Sequence, residues 1–522
     1  MLTLHQPQHV ADWLRARGVI RLQSDSRHVQ AGDGFVAWPG AASDARRFVA
    51  AALQAGASAA LVERAGAEGF DFGPGDAVLA MPGLKAQAGA VASAFYGQPS
   101  AQLDLLAITG TNGKTSTAWW LAQLLGALGW PCALVGTLGI GQPPLAAQGS
   151  AGALQSSGLT TPDPVLLQSY LRHFVDQGLR ACAIEASSIG LVEGRLNACR
   201  IKLAVFTNFT QDHLDYHGSM ARYWAAKAML FDWPGLDAAV LNLDDPQGVA
   251  LAAALAPRGL DLWTVGIDDS ALPASAQRPP ARLFARELGA SEHGQRLLIG
   301  ERNAAGAPID SQTLTLPLVG RYNVSNVLGV LGAARALGFG LSAALHACAA
   351  LTPVPGRMEP VLPATPQQPL VLIDYAHTPD ALEKALQALQ ALRRQRGGQL
   401  WVVLGCGGER DASKRPLMAA AAERGADRVV LTSDNPRSED PLAILAQMQA
   451  GLSSPAPAQI EPDRARAIAL AVRGAQACDV VLIAGKGHEE YQEVQGMKKP
   501  FSDRAQAQQA LQERADAARE AA

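Results

Sequence analysis

Short apolar runs alternate with longer amphipathic segments along most of the chain. Between residues 101 and 355 the runs read LDLLAITG, PCALVGT, ACAIEAS, KLAVFTNF and AAVLNLD, and each ends at a glycine or a polar residue. Segments with helical periodicity, such as TSTAWWLAQLLGALG, separate them. Strands bounded in this way and alternating with helices are typical of parallel βαβ units. We therefore predict a parallel-sheet α/β domain over residues 101–355.

The pattern changes on both sides of this section. Residues 1–100 mix short runs such as SAALVER with Gly/Pro turns, which predicts a small α/β domain. Six prolines between residues 352 and 369 indicate a linker. After it, the runs LVLIDYA, LWVVLG, RVVLTSD and DVVLIAGKG predict a Rossmann-like domain over residues 356–522. The expected fold class is α/β with three domains, which suits a chain of 522 residues.

Composition narrows the class of protein. Apolar residues make up 48% and charged residues 17%, as in a globular enzyme, and the net charge of −3 without a basic stripe disfavours nucleic-acid binding. The six cysteines form no CxxC pair, so we expect small buried side chains rather than a zinc or disulfide framework. No signal-like N-terminus and no apolar stretch of about 18 residues is present. We expect a cytoplasmic monomer without membrane insertion.

A glycine-rich segment follows the first strand of the central section and opens a helix. Its glycines allow backbone N–H groups to converge on phosphate oxygens, and the helix N-terminus adds positive potential. A lysine can contact the β- and γ-phosphates, and a threonine hydroxyl can ligate Mg²⁺. The loop is shorter than a Walker A motif, because Ile108 stands where that motif has its first glycine. The predicted ATP-binding residues are Gly110, Thr111, Asn112, Gly113, Lys114, Thr115 and Ser116.

Two further segments lie at the ends of strands that follow this loop. Glu185 closes the run ACAIEAS, and TNFTQDHLDYH (207–217) follows the next strand. Because parallel strands place their carboxyl ends at one edge, we expect both segments near the phosphate loop. Carboxylates that bridge Mg²⁺ to phosphates are the chemistry such a position favours. The alternative for the second segment is a polar loop held by side-chain hydrogen bonds.

The string GTNGKTS resembles the ATP loop of the Mur ligases and of folylpolyglutamate synthases, and the other motifs extend the resemblance to the Mur ligases over essentially the whole chain. This resemblance implies three domains for substrate, ATP and incoming amino acid. It implies a cell-wall ligase that uses ATP and Mg²⁺ to phosphorylate a substrate carboxylate. An amine then attacks the acyl phosphate through a tetrahedral intermediate.

The resemblance also implies roles for residues that no local rule singles out. His213 matches a metal-linked histidine, and Lys227 matches a lysine that is carbamylated and ligates a second Mg²⁺. By residue type alone, Lys227 would be an exposed helix residue. The implied metal ligands are Thr115, Glu185, His213 and Lys227, and the implied catalytic residues are Lys114, Glu185, His213 and Lys227. Further positions implied near ATP are Asn326, Arg357, Asp374 and His377.

Substrate-binding positions are implied in the same way. Asp25-Ser26-Arg27 resembles a segment that touches the uridine nucleotide, and segments around residues 160 and 187 resemble those that hold the muramoyl peptide. Arginine binds carboxylates bidentately, so Arg195 in GLVEGR is a candidate partner for a substrate carboxylate. The implied residues for the UDP-N-acetylmuramoyl-dipeptide are Ser26, Thr160, Thr161, Ser187, Glu193 and Arg195.

The string Asp434-Asn435-Pro436-Arg437 resembles the signature of Mur ligases that use meso-diaminopimelate. The distal end of that amino acid carries an amine and a carboxylate, so Arg437 can bind the carboxylate while Asp434 and Asn435 meet the amine. Lysine lacks the carboxylate and would leave a desolvated arginine unpaired. The string could also be a capped turn, with Asp434 as the N-cap and Pro436 near N1. The implied diaminopimelate contacts are Arg410, Asp434, Asn435, Pro436, Arg437, Gly485 and Glu489.

Three other functions stay open from the sequence. A lysine-adding Mur ligase and a folylpolyglutamate synthase share the chemistry, although Arg437 argues against the first and the pairing of DNPR with GKGHE against the second. A P-loop ATPase that acts as a switch would hydrolyse ATP without an amino acid. The favoured hypothesis is an ATP-dependent ligase of peptidoglycan precursor synthesis that joins meso-diaminopimelate to the D-glutamate of a UDP-linked dipeptide.

Overall fold

In the part of the chain that the structure describes, three large β-sheets of five, eleven and six strands follow one another along the sequence. The computed structural model describes residues 2–40, 43–73, 75–145, 152–156, 158–268, 279–291, 294–303, 306–316, 318, 320–365, 367–453 and 458–520. Helices flank all three sheets, and most neighbouring strands are parallel. The predicted α/β class with three domains is therefore confirmed.

The first sheet is entirely parallel and has the order β1-β5-β4-β3-β2. Its three central strands are largely buried apolar runs, as both faces of a parallel sheet require, whereas the two edge strands are only partly buried. Val165, from the central section, packs into the same apolar core. The elements are β1 (Leu2–Thr3), α1 (Pro7–Ala16), β2 (Arg21–Gln23), β3 (Asp33–Ala37), α2 (Val49–Gln54), β4 (Ala59–Glu63), β5 (Val78–Met81) and α3 (Leu84–Phe95).

The second sheet has a parallel centre with antiparallel strands on both sides. The predicted strands are all present, whereas the antiparallel meander β14-β15-β16 was not predicted. The strands are β6 (Asp104–Thr109), β7 (Cys132–Gly136), β8 (Gly139–Gln142), β9 (Ala153–Gln155), β10 (Ala181–Glu185), β11 (Ile201–Phe206), β12 (Ala238–Asn242), β13 (Asp261–Ile267), β14 (Leu283–Ser291), β15 (Gly294–Arg302) and β16 (Pro308–Leu316). The helices are α4 (Lys114–Ala127), α5 (Pro164–Asp176), α6 (Ser188–Val192), α7 (Leu214–His217), α8 (Met220–Ala228), α9 (Pro246–Leu255), α10 (Arg321–Ala336) and α11 (Leu341–Ala347).

The third sheet has the order β17-β18-β22-β19-β20-β21, and a separate hairpin β23–β24 follows it. The interpretation of residues 352–369 as a linker is wrong for β17, which pairs antiparallel with β18. Its one proline, Pro360, is tolerated because β17 is an edge strand. The strands are β17 (Glu359–Val361), β18 (Leu370–Asp374), β19 (Leu400–Leu404), β20 (Arg428–Leu431), β21 (Ala458–Ile460), β22 (Val480–Ala484), β23 (Tyr491–Val494) and β24 (Met497–Pro500). The helices are α12 (Pro379–Arg396), α13 (Lys414–Gly425), α14 (Pro441–Gln449), α15 (Arg464–Gly474) and α16 (Asp503–Glu520).

The chain leaves the central section at Thr352. Three polar atoms of this residue are hydrogen-bonded to side chains of helix α4. The Gln123 side chain donates to Thr352 Oγ1 at 2.7 Å and accepts from Thr352 N at 3.1 Å. Trp120 Nε1 donates to the Thr352 carbonyl at 2.9 Å. Both side chains are buried, so the bonds are shielded from water. The helix that follows the phosphate loop is thus fixed to the start of the segment that leads to the third section.

The cysteines are all free, and five of them are buried, as expected, while Cys478 is half-buried. Among the described residues, none of the helices has the length and apolar character that crossing a membrane requires.

Candidate active site

The phosphate loop lies at the carboxyl end of β6, where β6 is flanked by β10 and β11. Gly110 and Gly113 have φ angles of +146° and +84°, which favour glycine. A Cβ atom on Gly110 would lie 1.9 Å from Thr207 Oγ1, and one on Gly113 would lie 2.3 Å from Asn326 Oδ1. Both glycines are therefore required by conformation and by space. The Asn326 side chain lies directly against the loop.

The other residues of the loop are held by the segment after β11. Asn112 N–H donates to Asn208 Oδ1 at 2.9 Å, and Tyr223 OH donates to Thr111 Oγ1 at 3.2 Å. The Asn112 side chain also donates to Asp380 Oδ2 at 3.3 Å, which links the loop to helix α12 of the third section. Ser116 is buried in the first turn of α4.

Lys114 folds back over the phosphate loop. Its Nζ donates to the Gly110 and Thr111 carbonyls at 2.9 and 2.7 Å. Burial lowers the pKa of Lys114, and the nearby Glu185 and Asp212 charges act against that shift. The ammonium group thus stands on the inner face of the loop, where incoming phosphate oxygens would compensate its desolvation.

Glu185 is 1% exposed and receives three donors. Its Oε2 accepts from Thr115 Oγ1 at 3.0 Å and from Thr137 Oγ1 at 3.3 Å, and its Oε1 accepts from Thr137 N–H at 2.8 Å. A Cβ atom on Gly136 would lie 2.3 Å from Glu185 Oε1, so the carboxylate needs a glycine beside it. Sequence reasoning missed Gly136 and Thr137, although their position directly after the apolar run PCALV was a usable signal.

The pairing of Glu185 with Thr115 fits a Mg²⁺ ion that is also bound by phosphate. In the described part of the chain, no group of three or more His, Cys, Asp or Glu side chains could hold a metal by itself. Mg²⁺ typically takes one or two carboxylates, with waters and substrate phosphates as its other ligands. Thr115 and Glu185 suit that partial set of ligands.

Lys227 is 1% exposed, so the residue-type expectation of a surface lysine is wrong. Its Nζ donates to the Gly110 carbonyl at 2.7 Å and lies 4.4 Å from the centre of the Tyr223 ring. Burial, followed by the charge of Lys114, lowers the pKa of Lys227 well below its ordinary value. Helix α8 turns this residue inward because Tyr223 and Ala226 share its buried face.

His213 and His217 lie at the two ends of helix α7. His213 Nε2 is 3.5 Å from Asp212 Oδ2, and burial lowers the pKa of His213. His217, which sequence reasoning did not single out, is buried and its Nε2 lies 3.0 Å from Ser188 Oγ. His213 thus lies in a polar segment that is hydrogen-bonded to the phosphate loop, and its link to a metal remains a prediction.

Three residues predicted near ATP, Arg357, Asp374 and His377, lie in the third section, and Arg357 contacts the phosphate loop. Arg357 Nη2 lies 3.5 Å from Thr115 Oγ1, and the guanidinium stacks 4.2 Å from the centre of the Tyr375 ring. The Asp374 carboxylate is buried and accepts the N–H groups of Met358 and Ala376 at 2.7 and 2.8 Å, which fixes the Arg357 turn.

His377 is half-buried, and its Nδ1 lies 2.8 Å from the Tyr375 carbonyl. Burial lowers its pKa to about 4, so the ring is neutral near pH 7.

Three residues predicted to bind the muramoyl peptide form one hydroxyl cluster beside Glu185. Thr161 Oγ1 donates to the Glu185 carbonyl at 2.7 Å and lies 2.9 Å from Ser187 Oγ. Thr160 Oγ1 lies 3.1 Å from Thr137 Oγ1. Arg195 Nη1 donates to the Thr161 carbonyl at 2.8 Å, which brings a cation to the same edge of the sheet.

Glu193 and Ser26 are placed by different elements. The Glu193 carboxylate accepts from Lys85 Nζ of helix α3 at 2.8 Å and from Tyr216 OH at 2.7 Å. It therefore joins the first section to the loop that carries His213. Ser26 begins a short helical turn that Asp25 caps through the N–H of Arg27. Its contact with a uridine nucleotide remains a prediction.

The 434–437 segment follows β20 and starts no helix, so Asp434 is not a helix N-cap; α14 begins at Pro441 with Asp440 as its N-cap. Asn435 is buried, and its Nδ2 donates to Glu489 Oε2 at 2.8 Å. Its Oδ1 accepts from Lys486 Nζ at 2.9 Å. The buried Lys486 also donates to Glu489 at 3.0 Å and was missed from the sequence.

The remaining predicted contacts surround this segment. A Cβ atom on Gly485 would lie 2.7 Å from Asp434 Oδ2, so the glycine leaves room for that carboxylate. Arg437 Nη1 donates to the Gly408 carbonyl. Pro436 is buried, whereas Arg410 is exposed on the loop after β19. The segment thus joins two loops at the carboxyl ends of β19 and β22, where ligands of parallel sheets bind.

Two family models match the chain in sequence order. The model described as Mur ligase middle domain matches residues 108–334, and that described as Mur ligase, glutamate ligase domain matches residues 356–487. Together they cover more than half of the chain. The phosphate loop with its neighbouring carboxylate and the chain as a whole therefore belong to the Mur ligase family.

Similar proteins agree with this assignment. The chain is 54% identical over 519 residues to a protein of Acidovorax sp. (strain JS42) named UDP-N-acetylmuramoyl-L-alanyl-D-glutamate--2,6-diaminopimelate ligase, with 98% of each chain covered. A protein of Pseudomonas aeruginosa with the same name is 45% identical, with 94% of each covered. A solved structure of such a ligase has a TM-score of 0.62 at 35% identity, and 95% of each chain is covered.

Proposed function

We propose that this protein joins meso-diaminopimelate to the D-glutamate carboxylate of UDP-N-acetylmuramoyl-L-alanyl-D-glutamate, in peptidoglycan precursor synthesis and at the cost of ATP. The observation that carries this proposal is the placement of Arg437, Asp434 and Glu489 at the carboxyl edge of the third sheet. They offer a cation and two carboxylates to an amino acid whose distal end bears both charges. Relatives named for that substrate support the assignment.

The reaction follows from the residues at the phosphate loop. Lys114 and the loop N–H groups bind the triphosphate and orient its terminal phosphoryl group toward the substrate carboxylate. Transfer of that group yields ADP and an acyl phosphate on D-glutamate. The neutral amine of the second substrate attacks the carbonyl carbon, phosphate leaves, and the amine gives up a proton. Cationic groups at the site stabilise the oxyanion of the tetrahedral intermediate.

Thr115 and Glu185 would hold Mg²⁺ together with the phosphates of ATP. The ion supplies charge compensation for the transferred phosphoryl group. Glu185 is suited to this role because its carboxylate is buried beside a hydroxyl and faces the loop. His213 would support the same metal region, as the resemblance to the family implies.

Lys227 is proposed to carry a carbamate in the working enzyme. Burial favours the neutral form of Lys227 and lowers its pKa well below the ordinary value, and a neutral amine adds to CO₂ with loss of one proton. The product is a carboxylate that can ligate a second Mg²⁺ beside Gly110. The carbamate also places a negative charge beside the Lys114 ammonium group, which otherwise disfavours a positive charge on Lys227.

The domain boundaries at 100/101 and 355/356 are also a proposal, supported by separate apolar cores around each sheet. In this arrangement Ser26 and Arg195 bind the UDP-dipeptide, the central section binds ATP, and the third section binds the amino acid. We further propose that the protein acts in the cytoplasm as a monomer.

Release of ADP in the presence of each substrate alone and of all three together tests the function. We expect ADP release only when the UDP-dipeptide and meso-diaminopimelate are both present. Equal rates with lysine would favour the lysine-adding alternative. Full turnover without either substrate would favour a switch ATPase.

A further inference from the structure

The hairpin β23–β24 is fastened to the amino-acid segment through its first strand. Gln492 Nε2 donates to the Asp434 carbonyl at 2.8 Å, and Glu493 N–H donates to Asn435 Oδ1 at 2.9 Å. The turn at Gln495 and Gly496 has φ angles of +50° and +73°, as in a two-residue hairpin turn. The hairpin is therefore a defined element that packs on the 434–437 segment.

Arg437 pairs with this hairpin through its backbone. Its N–H donates to the Glu493 carbonyl at 3.0 Å, and its carbonyl accepts from Gln495 N–H at 2.6 Å. Arg437 has a φ of +52°, a conformation that costs free energy for a residue with a side chain. The two backbone bonds stabilise it there. The direction in which the arginine side chain leaves the segment is thus set by the hairpin.

The side chain of Glu493 supplies a negative charge beside the guanidinium. Glu493 Oε2 lies 3.7 Å from Arg437 Nε, with the two side chains 23% and 18% exposed. Arg437 Nη1 donates to the Gly408 carbonyl. Among the residues that the structure describes, Nη2 has no hydrogen-bond partner. Nη1 is therefore held by a hydrogen bond and Nε has a counter-charge nearby, while Nη2 is left for an incoming group.

We propose that Glu493 is a positioning residue that sets the preference for an amino acid with a distal carboxylate. The inference rests on the proposed function and deepens it. Glu493 pairs with Arg437 in the absence of substrate, so the half-buried cation is not left without a counter-charge. Its carboxylate lies 3.7 Å from Nε, and a distal carboxylate of the substrate binds at Nη2. Lysine has no group to bind at Nη2 and gains nothing from the arrangement.

The test compares Glu493→Gln, Glu493→Asp and wild type in amino-acid-dependent ADP release with meso-diaminopimelate and with lysine. For Glu493→Gln we expect the KM for diaminopimelate to rise roughly tenfold, because a supporting contact holds the binding group in place. The KM for ATP and the low rate with lysine stay unchanged. Glu493→Asp keeps the charge and restores part of the preference.

Two further variants separate positioning from general damage. Gly496→Val strains the hairpin turn, which needs a positive φ, and is expected to reduce the preference in the same direction. Glu490→Gln changes an exposed neighbouring carboxylate and leaves the preference as in wild type.

An unchanged or lowered KM for diaminopimelate in Glu493→Gln, or an equal loss with both amino acids, overturns the proposal. Failure of wild type to use diaminopimelate instead overturns the proposed function.

Discussion

Lys114 and Lys227 donate hydrogen bonds to the same oxygen atom, the carbonyl of Gly110, at 2.9 and 2.7 Å. Two lysines converge on one loop carbonyl although Lys227 is buried and Lys114 is half-buried. Burial is the first cause of the lowered pKa of each; the charge of Lys114 further lowers the pKa of Lys227, and the charge of Arg357 further lowers the pKa of Lys114. This arrangement is costly without bound anions and becomes favourable when phosphates or a carbamate supply negative charge.

Lys114→Ala is expected to reduce kcat for ADP release by roughly 10²–10³-fold, the usual loss when one stabilising donor is removed from a developing charge. Lys202→Ala serves as the control because that lysine pairs with Asp104 at the opposite end of the sheet. Steady-state kinetics with saturating UDP-dipeptide and diaminopimelate measure both. A Lys114→Ala enzyme as fast as the control would contradict the proposed mechanism.

Lys227→Met is expected to abolish activity while stabilising the protein in CO₂-free buffer. The pKa of Lys227 is lowered in the folded state, so the unfolded chain binds more protons between that value and its ordinary 10.5. Stability therefore rises with pH through this window, and the penalty is largest at lower pH. At pH 7 the gain in unfolding free energy should be on the order of 1 kcal/mol.

Denaturant unfolding of Lys227→Met and wild type at pH 7 and pH 10 measures this gain. It should shrink at the higher pH. A stability difference that does not depend on pH would mean that Lys227 is charged in the folded protein.

Glu185→Gln is expected to raise the Mg²⁺ concentration needed for half-maximal activity, since a neutral amide is a poor ligand for a hard cation. Glu287→Gln, on the exposed part of β14, is the matched control. Titration of Mg²⁺ at saturating ATP gives the value for each variant. An identical requirement in Glu185→Gln and the control would remove Glu185 from the metal site.

Gly136→Ala tests whether the Glu185 carboxylate has its present position for a steric reason. The added Cβ would lie 2.3 Å from Glu185 Oε1, so the carboxylate must move. Activity should then fall by roughly tenfold or more, because a small misplacement of a catalytic group slows the reaction. Gly340→Ala meets no atom within 4 Å and should behave as wild type. Equal activity of the two variants would show that Glu185 can shift without loss.

Arg437→Ala is expected to lower kcat/KM for meso-diaminopimelate and to leave the low activity with lysine unchanged. The discrimination that a buried recognition group provides can reach roughly 10⁴-fold. Arg428→Ala, an exposed arginine at the start of β20, is the control. Parallel assays with the two amino acids give the ratio. An unaltered ratio would mean that another group selects the amino acid.

Local sequence was sufficient for the elements whose residues are chemically distinctive. The loop at Gly110–Lys114 and Glu185 at the end of β10 could be predicted because strand, turn and helix signals are adjacent there. Burial of Lys227 could not, because it depends on how α8 packs against a loop distant in sequence. The same holds for Lys486 and the hairpin β23–β24, whose partners come from the 434–437 segment.

Because Thr352 is bound through its N–H, carbonyl and hydroxyl to the helix that follows the phosphate loop, it cannot act as a pivot. Any swing of the third section toward the nucleotide must be taken up by the few peptide units between Thr352 and Arg357. A hinge of that length allows rotation but little translation. Any rotation of the third section would therefore move Arg357 only a short distance, because the chain is anchored to helix α4 at Thr352.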